Sequence, residues 1–211
     1  MSANVPRGLY AVTSARACAD EATLRAAVGA ALDGGAAMIQ YRDKHATAGQ
    51  REARASMLAA LCHDRGRRFI VNDDAALAGA VGADGVHLGR DDGAVSAARA
   101  VLGPGALIGV SCGPYLDRVR AAETEGADYA AVGRLFASAT KPDAPAATLD
   151  DLRAARAATR LPLCAIGGIT AERVPEVVAA GADLVAAIAG VFDAGDVRAA
   201  TAAYTLAFDR A

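Results

Sequence analysis

Val81-Gly82-Ala83-Asp84-Gly85-Val86-His87-Leu88 reads as one unit: a helix ends, a glycine turns the chain, and a short apolar strand begins. The phrase Gly-Ala-Asp returns at Gly126-Ala127-Asp128 and at Gly181-Ala182-Asp183. Each copy stands between a helical and a strand-like stretch, so each glycine is expected as a helix C-cap. Outward from these marks the same alternation fills the chain. Strands are predicted at Gly8–Thr13, Ala36–Tyr41, Arg68–Asn72, Asp84–Leu88, Ala106–Ser111, Asp128–Val132, Leu161–Ile166 and Ala182–Ala189. Helices are predicted at Asp20–Leu32, Thr47–Arg65, Asp73–Val81, Asp91–Leu102, Pro114–Glu125, Thr148–Thr159, Thr170–Ala180 and Asp193–Phe208. Eight strand-helix units predict an α/β fold, a single (β/α)8 TIM barrel occupying residues 1–211.

The composition suits that reading. The chain has 211 residues, 54% of them hydrophobic, which is ample for one barrel-sized core. Aromatics are only 4% and Trp is absent, so Ala, Val, Leu and Ile must build the core. A formal net charge of -2 gives no global field for nucleic acid or an anionic membrane. Phosphate binding would need locally gathered cations, amides or a metal. No apolar run is long enough to span a bilayer. The beginning lacks a signal-peptide core. Four separated cysteines, Cys18, Cys62, Cys112 and Cys164, show no C-x-x-C spacing and fit a reducing cytoplasm. The oligomeric state is left open, a homo-oligomer included.

A TIM barrel gathers its site at the carboxyl ends of its strands. In Ile39-Gln40-Tyr41-Arg42-Asp43-Lys44, alternation would set Gln40, Arg42 and Lys44 on one face, an anion-binding ladder or the solvated side of an edge strand. Asn72 and Asp73 follow strand three, and Asp92 lies beyond strand four. Asp73 and Asp92 are candidate Mg²⁺ ligands, because Mg²⁺ takes hard oxygens from one or two carboxylates, water and substrate phosphate. Both also open predicted helices, so capping competes, although Asp74 and Asp91 fit capping better. His87 would contact substrate or metal, or sit satisfied in the core. Ser111 ends strand five as a substrate contact or a small buried residue. Ser138 and Thr140 offer donors to a phosphate or are ordinary loop polarity. Lys141 opens the Pro-rich stretch 141–145, expected as a lid. Gly167-Gly168 resembles a phosphate loop, the alternative being a plain turn with Thr170 as N-cap.

In order and spacing, these motifs resemble the thiamine phosphate synthase family over Leu9–Ala189. The motifs that carry the likeness are Gln40-Tyr41-Arg42-Asp43-Lys44, Val71-Asn72-Asp73, Gly82 to Gly89 with Asp92, Gly109-Val110-Ser111, Thr140-Lys141 and Ala165-Ile166-Gly167-Gly168-Ile169. The resemblance implies condensation of a hydroxymethylpyrimidine diphosphate with a thiazole phosphate, giving thiamine monophosphate and pyrophosphate. It implies that Gln40, Arg42, Lys44, Asn72 and Lys141 bind the diphosphate, that Ser111 contacts the pyrimidine or the leaving group, and that Asp73 and Asp92 hold Mg²⁺. Arg42, Lys44, Ser111 and Lys141 would be the catalytic set. Ser138, Thr140, Gly168 and the backbone at Ile188-Ala189 would bind the thiazole phosphate. Arg90, Arg134, Ser138 and Ala189 stand where the family usually has Gln, Pro, Thr and Ser. The rivals are a thiazole tautomerase-like isomerase and a non-catalytic thiazole-phosphate-binding barrel. The first places a His shortly after the strand-five Ser, where this chain has Cys112-Gly113.

Overall fold

The computed structural model describes residues 5–90, 92–137 and 145–211. Among these, eight parallel strands follow one another: β1 (Gly8–Val12), β2 (Met38–Tyr41), β3 (Arg68–Asn72), β4 (Gly85–Leu88), β5 (Leu107–Ser111), β6 (Tyr129–Gly133), β7 (Leu163–Ile166) and β8 (Leu184–Ala187). Each pairs with its sequence neighbours, and β8 returns to β1 with Leu9 opposite Val185, closing the barrel. The helices are α1 (Glu21–Asp33), α2 (Ala48–His63), α3 (Ala75–Ala80), α4 (Val95–Leu102), α5 (Leu116–Thr124), α6 (Leu149–Ala158), α7 (Val174–Ala179), α8 (Ala189–Phe192) and α9 (Val197–Asp209). The fold is the expected (β/α)8 TIM barrel. Because the sheet closes, β2 has no free edge, which removes the edge-strand reading of Gln40-Arg42-Lys44.

Local chemistry sets most helix starts. Asp20 accepts the N–H of Thr23, Asp74 that of Leu77 and Asp196 that of Ala199. Thr47 with Gln50, and Thr148 with Asp151, form capping boxes. Several predicted bounds fail, among them the closing helix, expected from Asp193 and beginning at Val197 behind its cap Asp196. The helix expected from Asp91 begins at Val95, because Gly93 takes a left-handed φ of 110° just before it. The strand expected to reach Ala189 stops at Ala187; Ile188 turns at φ -114°, ψ -87° and α8 follows.

Strand alternation splits the core in two. Tyr10, Val12, Met38, Ile70, Leu107, Tyr129, Cys164 and Leu184 fill the barrel. Leu9, Ala11, Ile39, Tyr41, Val71 and Ile108 face the helices. There, small residues such as Ala55, Ala98 and Ala155 let the helices lie close, with Leu24, Leu58 and Leu152 fully buried between. Each such leucine contributes roughly 1.5–3 kcal/mol.

The Gly-Ala-Asp copies turn out to staple the amino-terminal end. Their glycines have φ of 66°, 82° and 110° and stand one residue past the helix C-caps Val81, Glu125 and Ala180, which corrects the expected cap position. Asp84 accepts the N–H of Phe69, Asp128 that of Ile108 and Asp183 that of Leu163. Each also accepts from a guanidinium: Arg68 at 2.6 Å, Arg99 at 2.7 Å and Arg156 at 3.1 Å. The staples tie β3 to β4, β5 to β6 and β7 to β8. Before β2 the sequence is Gly35-Ala36-Ala37, with no carboxylate at that place.

Candidate active site at the carboxyl rim

Gln40 is 4% exposed and faces the barrel interior, where its Nε2 donates to the Tyr10 hydroxyl at 2.6 Å. Thr13, just past β1, clamps Arg42 two residues on: its Oγ1 accepts the Arg42 N–H at 2.8 Å and donates to the Arg42 carbonyl at 3.0 Å. Alternation does not carry on to Lys44. The strand ends at Tyr41, and Lys44 is exposed in a bend. Asp43 builds that bend by accepting the N–H groups of His45 and Ala46 at 3.0 and 3.1 Å. Its other oxygen accepts from Arg54 at 2.7 Å, in an almost fully buried pair. Burial alone would raise the Asp43 carboxyl, but the two N–H groups and the guanidinium hold it below the usual range. Lys44 thus follows the end of β2 in a turn that Asp43 fixes.

Asn72 ends β3 half-buried, and Asp73 follows at φ 65°, the left-handed region. Among the described residues no other non-glycine residue has a positive φ, and such strain gathers at functional sites. The Asp73 N–H donates to the His87 carbonyl at 2.8 Å, which docks the loop on β4. The capping reading fails for both candidates. Asp74 caps α3, and Ala94 precedes α4 without a side-chain cap. Asp91 lies outside the described residues. Asp73 and Asp92 instead meet over Gly89. A Cβ built there would overlap Asp92 Oδ2 and lie 3.6 Å from Asp73 Oδ1. Among the described residues no group of three or more His, Cys, Asp or Glu gathers for a metal. Two carboxylates above a glycine still fit Mg²⁺, which fills its remaining positions with water and phosphate oxygens.

Ser111 ends β5, with its Oγ hydrogen-bonded to His87 Nε2 at 2.9 Å. His87 Nδ1 is 3.1 Å from the Tyr129 hydroxyl, which is 2.9 Å from that of Tyr10. His87 is thereby a buried histidine with hydrogen bonds at both ring nitrogens, and it reaches the mouth through Ser111.

The second half of the rim is built from β7 and β8. Gly167 and Gly168 have φ of 105° and 61°. A Cβ on Gly168 would overlap the Ala137 carbonyl, and one on Gly167 would sit 2.7 Å from Arg134 Cα. Leu135 and Phe136 donate their N–H groups to Ile166 and Gly167. The glycines therefore have a packing duty: they let residues 134–137 run against the end of β7. Thr170 precedes a 3₁₀ turn, Ala171–Arg173, without a side-chain cap. Tyr204 of α9 donates to the Ile169 carbonyl at 2.7 Å and pins this loop beside α8. Ile188 packs against the barrel-interior cluster at the opening of α8. Ser138, Thr140 and Lys141, with the expected lid through residue 144, lie outside the described residues. Arg90 is exposed beside Gly89, and Arg134 is half-buried.

The barrel thus brings Gln40, Arg42, Lys44, Asn72, Asp73, Asp92 and Ser111 to adjacent strand ends on one rim, β2 to β5. Gly168, Ile188 and Ala189 occupy the β7–β8 side. Sequence reasoning missed Tyr10, Thr13, Arg54, Tyr129 and Tyr204. Tyr10 and Tyr129 carried one signal: a phenol at a core strand position needs a hydrogen-bond partner.

A family model described as Thiamine monophosphate synthase matches residues 9–191. The chain belongs to that family. Among curated relatives, a thiamine-phosphate synthase of Nitrosococcus oceani is 49% identical, covering 97% of this chain and 93% of its own. One from Thiobacillus denitrificans is 51% identical, covering 93% and 92%. A solved thiamine phosphate pyrophosphorylase from Pyrococcus furiosus superposes with a TM-score of 0.88 at 33% identity, covering 96% of both chains. Family membership at this identity gives the chain thiamine-phosphate synthase activity and makes it a transferase. Among the described residues no helix is long and apolar enough to cross a membrane.

Proposed function

We propose that this rim joins a hydroxymethylpyrimidine diphosphate to a thiazole phosphate with Mg²⁺ as cofactor. The observation that carries the reading is the meeting of Asp73 and Asp92 over Gly89, on the same rim as the cations after β2. Gln40, Arg42, Lys44 and Asn72 hold the pyrimidine diphosphate, joined by Lys141. Ser111 touches the pyrimidine or the departing group. Ser138, Thr140, Gly168 and the backbone at Ile188-Ala189 take the thiazole phosphate, where Ala189 leaves main-chain groups in place of a hydroxyl.

The chemistry asks for little covalent help. The bond between the pyrimidine methylene carbon and the diphosphate oxygen breaks, and its electron pair leaves with pyrophosphate. The aminopyrimidine ring spreads the resulting positive charge. The thiazole nitrogen then gives its lone pair to form the new carbon–nitrogen bond. Mg²⁺ held by Asp73 and Asp92 would neutralise diphosphate charge. Arg42 and Lys44 stabilise the same developing negative charge from fixed positions, an electrostatic effect that is commonly the largest single one. Holding both substrates together adds the benefit of proximity. The four cysteines are free and buried, with Cys18 and Cys112 pushed by burial up to about 11, which supports a reducing cytoplasm as the working compartment.

The test is pyrophosphate release by the purified protein. It is expected only with both substrates and Mg²⁺ present, and to stop in EDTA. Full turnover in EDTA removes the metal assignment. Release from the pyrimidine diphosphate alone removes the coupling.

A further inference from the structure

Five polar side chains cross the barrel interior in an unbroken line: Gln40, Tyr10, Tyr129, His87 and Ser111. They come from β2, β1, β6, β4 and β5, and the successive links measure 2.6, 2.9, 3.1 and 2.9 Å. Gln40, Tyr10, Tyr129 and His87 are buried. The barrel makes room for the line at a cost in side chains. Gly109 stands opposite Tyr129 in the β5–β6 register, and a Cβ there would overlap the Tyr129 ring. Tyr129 meets Tyr10 edge-on, at 82° and 6.0 Å, and stacks on His87 at 28° and 5.6 Å.

Counting protons gives the line a direction. A phenol has one proton to donate, and a neutral imidazole carries one N–H. The Gln40 amide nitrogen can only donate, so Tyr10 accepts from it. For each hydroxyl proton to find an acceptor within the line, Tyr10 must donate to Tyr129 and Tyr129 to His87 Nδ1. Burial pushes both phenols far above their usual range, so each keeps the proton it must donate. With Nδ1 accepting, His87 carries its proton on Nε2, which faces Ser111 Oγ.

We infer that Tyr10 and Tyr129 are positioning residues that fix His87 as the Nε2–H tautomer, so that Ser111 accepts from His87 and turns its own hydroxyl proton toward the substrate. The reverse order would use up the Ser111 proton on His87 and leave the mouth an acceptor there. A donor suits a ring nitrogen of the pyrimidine or an oxygen of the departing diphosphate. The line also joins Gln40 and Ser111, two residues that the proposed function sets against the pyrimidine diphosphate. The benefit to substrate rests on the function proposed above; the tautomer does not.

The experiment is therefore made first without substrate. Long-range ¹H–¹⁵N correlation of the intact protein reads the ring nitrogens of its three histidines, with His45→Gln and His63→Gln variants to assign His87. The expected result is one protonated Nε2 and one pyridine-like Nδ1 on His87. A protonated Nδ1, or averaged nitrogens, overturns the inference whatever the enzyme makes. Tyr129→Phe should abolish the single-tautomer signal and lower kcat by about tenfold, the scale of one hydrogen bond. Combined with Ser111→Ala it should lower kcat little beyond Ser111→Ala alone. Losses that multiply in the double variant would make Tyr129 a packing residue and overturn its role. Tyr10→Phe interrupts the line one link earlier and serves the same reading if Tyr129→Phe folds poorly.

Discussion

At the amino-terminal end of the barrel, Asp84, Asp128 and Asp183 each accept a strand N–H and a guanidinium. At the carboxyl end, Asp73 and Asp92 stand where no helix start needs them, and their oxygens meet over Gly89. One residue type serves two ends in two ways. The first three complete the pairing of β3 with β4, β5 with β6 and β7 with β8. Their charge is consumed by the fold. The other two lie around Gly89, where Asp92 Oδ2 fills the space a Cβ would take and Asp73 Oδ1 is 3.6 Å from it, and Asp73 holds a left-handed backbone. A carboxylate satisfied by N–H and arginine thus reads as structure, and a pair aimed at a common space reads as chemistry.

Substitution at each end should separate stability from turnover. The largest effect belongs to the rim. Lys44→Ala or Asp73→Asn should cut turnover by roughly a hundredfold or more, the scale of losing one fixed charge-stabilising group. Asn is the suitable replacement at 73 because it tolerates the left-handed backbone. Tm should move by about 2 °C or less, which steady-state kinetics beside a thermal melt will check. A variant that unfolds places that residue with the staples instead.

A smaller effect, and of the opposite kind, is expected at the other end. Asp84→Asn should cost about 1–3 kcal/mol of stability while leaving turnover of the folded protein unchanged. Burial alone would raise the Asp84 carboxyl, but the Phe69 N–H, Arg68 and His63 bring it below its ordinary value. A carboxyl lowered by folding contributes fully above the unfolded value of about 4 and loses that contribution as pH falls through the folded value. The Tm gap between wild type and variant should therefore be widest near neutral pH and close below about pH 4. A gap independent of pH would show that shape, not charge, is what the staple supplies.

Much of this contrast is legible in the sequence, and the gaps have physical reasons. Strands and rim residues stand out because short apolar runs end in Gln40, Asn72-Asp73, Ser111 and Gly167-Gly168. The Asp in Gly-Ala-Asp gave no hint of its partners, since each bond reaches back 15 to 20 residues to the preceding strand. α8 is hidden because Leu184 to Ala189 is one apolar run with no turn residue before Gly190. The Tyr10–Tyr129 contact spans 119 residues and exists only when the barrel closes. Lys44 was expected at the mouth by alternation, but alternation ends at Tyr41, and Lys44 lies exposed in the bend that Asp43 and Arg54 fix. That turn depends on a helix residue 11 positions away.

The contrast between the two ends is tested most directly by metal binding. Mn²⁺ can replace Mg²⁺ as a paramagnetic probe, titrated in the presence of inorganic pyrophosphate and followed by electron paramagnetic resonance. The wild type and Asp84→Asn should bind the ion alike, and Asp73→Asn and Asp92→Asn should each lose most of that binding. Unchanged binding in both rim variants, or its loss in Asp84→Asn alone, would contradict the assignment of the carboxyl-end aspartates to chemistry.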